Sequence, residues 1–141
     1  MQRSILVILV LALLVVACGG NGDEAKEETQ AEPAPAEVTG DASTGEELFN
    51  QTVIGSQAGC VTCHSLEPDR TLVGPSMAGV AARAGTRVSG QSAEEYLRDS
   101  IENTDAFTVD GFAAGVMPAA LGDDLSEQQL ADLVAFLLTL E

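Results

Sequence analysis

Cysteine thiols stand at positions 60 and 63 with Val61 and Thr62 between them, and the next residue, His64, is the sole histidine of the chain. Two thiols at this spacing can both add to the vinyl groups of one porphyrin as thioethers, and the imidazole that follows is then held against the iron. Cys60-Val61-Thr62-Cys63-His64 therefore reads as a covalent haem attachment site. Two other chemistries use the same residue types. A zinc ion would take Cys60, Cys63 and His64 but needs a fourth ligand to close its tetrahedron, and the remaining cysteine, Cys18, has a separate use given below. A dithiol redox pair belongs at a strand-to-helix junction of a βαβ unit, an alternation that this sequence lacks.

With 141 residues the chain holds one domain plus segments that are not domain. It has no Trp, one Tyr and four Phe, so a small core would be short of large apolar bodies. A covalently held haem would supply one, as a staple does in other small domains. Acidic residues number 22 against 6 basic ones, for a net charge of −16. Such a surface repels nucleic acid and anionic headgroups. It favours a partner with a basic docking face.

Met1-Gln2-Arg3 is a short basic start to an unbroken apolar run of 13 residues, Ile5 to Ala17. That run is shorter than the roughly 20 residues of a membrane-crossing helix and has the length of a signal-peptide core, so export is expected. Val15-Val16-Ala17-Cys18 resembles a bacterial lipobox, which makes Cys18 the lipidated first residue of the mature protein. An ordinary cleaved signal peptide is the alternative. With lipid on Cys18 and thioethers at Cys60 and Cys63, all three cysteines are used. The expected organisation is a lipoprotein signal peptide over 1–17, an acidic Ala/Glu/Pro/Gly tether over 18–40 and a haem domain over 41–141. The tether buries too little apolar surface to order itself, and 22 flexible residues would span about 25 Å.

Amphipathic helices must position the attachment site. The first is expected near Asp41, with Ser43 and Glu46, or Thr44 and Glu47, at capping-box spacing and with Leu48 and Phe49 on its apolar face. After His64 a loop through Arg70–Met77 leads into a short helix ending near Ala82. Ser92 and Glu95 box the start of a further helix, whose buried face carries Tyr96, Leu97 and Ile101. Ser126 and Gln129 do the same for a last helix. There Leu130, Leu133, Val134, Leu137 and Leu138 recur at helical spacing, Phe136 stands at the flank and Leu125 can staple onto Leu130. No strand is expected. The fold class is all-α, four to five helices around one haem, with long loops.

Over about residues 41–141 the chain resembles the class I cytochrome c family, on Cys60–His64, Gly74-Pro75 and Met117-Pro118. The resemblance implies single-electron transfer by one covalently bound haem c, with no substrate chemistry of its own. It implies that Gly45 and Phe49 of the first helix pack on the last one. It places the Pro75 carbonyl on the His64 ring, in the manner of acceptors that fix metal-bound imidazoles. Arg83, or less strongly Arg87, would lie near a haem propionate. It also implies Met117 as the ligand opposite His64, because Met77 lies two residues beyond Pro75 and must stay on the His64 side. His/Met ligation raises the potential and suits electron transfer. The expected partners are redox proteins such as a terminal oxidase or a quinol-oxidising complex, with the lipid on the membrane outside the cytoplasm. Two alternatives stay open: a haem subunit fixed in a larger complex, and a five-coordinate enzyme or gas sensor.

Overall fold

The computed structural model describes residues 38–141; the expected signal peptide, Cys18 and almost all of the tether lie outside them. Five helices follow in order: α1 (Ala42–Phe49), α2 (Cys60–Cys63), α3 (Val80–Ala84), α4 (Ala93–Glu102) and α5 (Glu127–Leu137). The all-α expectation holds, with one difference. Two strands of two residues each, β1 (Val53–Ile54) and β2 (Gln57–Ala58), pair antiparallel with Val53 opposite Ala58 and Ile54 opposite Gln57. Strands this short show no readable alternation in a sequence. Gly55 turns between them at φ +57°, a backbone conformation that glycine adopts without strain. The carboxylate of Asp124 then fastens the turn, accepting from the Ser56 backbone N–H at 2.9 Å and its hydroxyl at 2.8 Å.

The cap of α1 also differs from expectation. Asp41 accepts from the Thr44 N–H at 2.8 Å, and Ser43 and Thr44 fall inside the first turn. Asp41 is set there by the far end of the chain, because its own N–H donates to the buried carboxylate of Asp132 in α5 at 2.7 Å. Both boxes expected later are formed. The Ser92 Oγ accepts from the Glu95 N–H, whose carboxylate takes the Ser92 N–H, and Ser126 and Gln129 exchange the same pair of bonds. Helix α3 runs on to Ala84, two residues past the expected end, and starts from Gly79 at φ +68°.

Helices α1 and α5 pack backbone to backbone. A methyl group at Gly45 would fall on the Asp132 carbonyl and within 2.8 Å of the Phe136 Cβ, so only glycine permits the approach. One turn later the Phe49 and Phe136 rings pack at 5.5 Å between centroids, tilted by 56°. Phe136 is thus core rather than flank. Leu130, Leu133, Val134 and Leu137 join it, as do Tyr96, Leu97 and Ile101 of α4. Burial of such side chains contributes about 1.5–3 kcal/mol each.

Candidate functional site

The hairpin delivers the chain to Gly59, whose N–H donates to the Thr52 carbonyl at 2.9 Å. From there α2 makes a single turn. Thr62 bonds the Gly59 carbonyl through its hydroxyl at 2.6 Å, and the His64 N–H reaches the Cys60 carbonyl at 2.9 Å. One helical turn sets residues three apart on the same face, so the thiols of Cys60 and Cys63 lie together, and they form no disulfide. His64 ends the turn in extended backbone, φ −117° and ψ 138°.

The loop after α2 closes around that imidazole. The Gly74 N–H donates to the Cys63 carbonyl at 2.9 Å, and Nδ1 of His64 lies 2.9 Å from the Pro75 carbonyl. A carbonyl can only accept, so Nδ1 carries the proton and Nε2 keeps its lone pair. Burial lowers the His64 pKa, against a smaller opposing effect of the Pro75 carbonyl, which keeps the ring in the neutral form that binds metals. Burial also pushes the unmodified Cys60 thiol up to about 11. Gly74 lies flat on the ring: a Cβ there would strike Cε1 and come within 2.8 Å of Nδ1.

These residues open onto one cavity. Cys60, Cys63, His64, Gly74, Pro75 and Met77 line it from one side, and Val116, Met117 and Pro118 line it from the long loop between α4 and α5. Its back is apolar, formed by Phe49, Leu97, Ile101, Leu133 and Leu137, and Asp105 is the single charged residue of the lining. Two thiols on one face of a turn, a neutral oriented imidazole, a thioether and an apolar slot fit a flat macrocycle held by two covalent links.

Cys60, Cys63, His64, Pro75 and Met117 are therefore brought together. Met77 is half-buried in the same cavity, and its N–H donates to the Ser65 carbonyl at 2.8 Å, next to His64 in the chain. Arg83 does not line this cavity but the one beside it. Its guanidinium donates to the carbonyls of Ala78 at 2.6 Å and Ser76 at 2.9 Å. With Arg87 it lines a second cavity that shares Pro75, Val109 and Phe112 with the first. Three contributors had no reading in the sequence: Asp105, Thr104 and the pairing of Phe107 edge-on to Tyr96 at 5.6 Å. An acceptor side chain just past a helix end is the one sequence signal that points to Asp105.

The cytochrome c family profile matches residues 42–141. A protein described as "Cytochrome c-type cyt cy", from Rhodobacter capsulatus, is similar at 30% identity over 112 residues, which cover 75% of this chain and 52% of that protein. The chain thus spans about half the length of that relative. A profile match that runs through the thiol pair, the braced histidine and the methionine loop shows that the chain belongs to the cytochrome c family, whose members bind haem covalently and use it to transfer electrons.

Proposed function

We propose that this chain relays single electrons between membrane respiratory components outside the cytoplasmic membrane, with His64 and Met117 as axial ligands and with a lipid on Cys18. The observation that carries the ligand assignment is the shared cavity, lined by His64 on one side and by Met117-Pro118 on the other. When bound, the haem iron supplies a one-electron ferric/ferrous couple. The protein's part is positional. Cys60 and Cys63 would hold the macrocycle, and the Pro75 carbonyl fixes the ring and tautomer of His64. Met117 offers a neutral, soft thioether that favours the reduced state, and Pro118 stiffens the backbone beside it. The apolar lining would keep water from the bound haem.

The partner's chemistry follows from the rim. Val73 and Val116 are 55% and 48% exposed and flank the opening, one from each loop. No Lys or Arg lines this cavity, and the chain as a whole carries 22 acidic residues against 6 basic ones. A matching surface has an apolar centre ringed by basic residues, as an oxidase or a quinol-oxidising complex could present.

Met117→Ala tests the ligand. It should abolish the far-red thioether-to-iron charge-transfer band of the ferric protein and lower the potential, while Met77→Ala leaves both nearly unchanged; a band that survives in Met117→Ala overturns the assignment. The docking reading predicts that the second-order rate with a basic redox partner falls as salt is raised, through screening over a Debye length of about 10 Å at 0.1 M. A salt-independent rate in stopped-flow measurements would count against it.

A further inference from the structure

The loop that carries Met117 has little to hold it. Residues 113–116 are exposed, and Gly111 and Gly115 take φ of +89° and +73°, with open space where a Cβ would stand. Among the described residues, 113–117 make two hydrogen bonds. The hydroxyl of Thr104 reaches the Met117 carbonyl at 3.5 Å, the outer limit for such a bond. The Gly115 N–H donates to Oδ1 of Asp105 at 2.7 Å, a short bond to a charged acceptor. Asp105 is itself fixed in place. It follows the C-cap of α4 by two residues, and the Ala106 N–H beside it donates to the Asn103 carbonyl at 2.7 Å.

We propose that Asp105 is the positioning residue for the axial methionine: its carboxylate pins the Gly115 amide to the end of α4 and so holds the Met117 thioether at the iron. The proposal rests on Met117 being the ligand. Its physical content is an entropy argument. A loop with two glycines in left-handed backbone and few buried side chains samples many conformers, and each conformer that removes the thioether leaves the iron open to another ligand. One charge-assisted bond two residues from Met117 cuts that population. A hydrogen bond to a charged group shifts such an equilibrium by about tenfold or more.

Exogenous imidazole reads the equilibrium directly, because it takes the iron only when the methionine is off. The ferric holoprotein, full chain, is titrated with imidazole while the charge-transfer band is followed, in wild type, Asp105→Ala, Asp105→Asn and Asp41→Ala. Asp105→Ala should bind imidazole about tenfold tighter or more. Asp105→Asn keeps an acceptor oxygen and should recover most of the wild-type resistance. Asp41→Ala removes the cap of α1, outside the α4–α5 loop, and should leave imidazole affinity unchanged, which separates local release from general loss of stability. Equal affinities in wild type and Asp105→Ala overturn the proposal, and so does an Asp41→Ala variant that gains as much affinity as Asp105→Ala. Absence of the band in the wild type would instead remove Met117 as ligand.

Discussion

His64 is prepared for metal binding by its neighbours rather than by its type alone. The Pro75 carbonyl takes the Nδ1 proton, burial keeps the ring neutral, and Gly74 lets the backbone lie against the imidazole face. Gly74→Ala should therefore push the ring off its acceptor. Overpacking of this kind costs about 1–3 kcal/mol, and the expected outcome is a matching fall in denaturant stability together with a changed optical spectrum of the haem protein. An unchanged spectrum would mean that the ring has room to move aside. The thiol pair and His64 were legible in the sequence because covalent attachment constrains spacing along the chain. Pro75 and Met117 became legible through the family resemblance. Asp105 was not, because a carboxylate that grips an amide ten residues away obeys no periodicity.

At the scale of the helix, stabilisation divides between ends and faces. Ser126→Ala removes the hydroxyl that accepts the Gln129 N–H and should lower stability by about 1 kcal/mol. Gly45→Ala should cost more, because the added methyl meets the Asp132 backbone and the two helices must part. Chemical denaturation of the two variants tests that order; equal losses would mean that α1 shifts freely on α5. Helices α4 and α5 were readable in type and in starting point, since an apolar stripe and a capping box coincide in each. The cap of α1 was not, because the choice of Asp41 over Ser43 or Thr44 is made by Asp132, 91 residues away. The hairpin escaped for want of length. Arg83 illustrates the same limit: its sequence neighbours do not tell that its guanidinium meets the Ser76 and Ala78 carbonyls.

Taken whole, the molecule is acidic, yet several of its carboxylates are structural. Backbone donors at Thr44, Ser92 and Ser56, joined by their hydroxyls, hold Asp41, Glu95 and Asp124 respectively below the usual carboxylate range. A folded-state pKa below the unfolded one contributes stability that is present above the unfolded value, about 4, and is lost as pH falls through the lower folded values. These three groups should accordingly leave unfolding free energy unchanged down to about pH 5 and lower it modestly as pH falls below about 4. Asp124→Asn should make the acid decline shallower, and an unaltered slope would discount the Ser56 contacts as a source of it. All three groups are exposed, so solvent screening keeps each contribution modest.

The first described residues carry one more consequence. Thr39 and Asp41 are stitched to α5, through Gln128 at 3.1 Å and Asp132 at 2.7 Å, and Gly40 lies flush against the Ala131 carbonyl. A pull arriving from the N-terminal side is therefore borne by the longest helix of the described residues, at three adjacent points, before it reaches the loops that grip the imidazole and the thioether. The stitching acts as a strain relief, like the clamp on a cable where it meets a plug. It also marks the place to cut: a fragment that begins at Val38 keeps the clamp, and one that begins at Ala42 loses it.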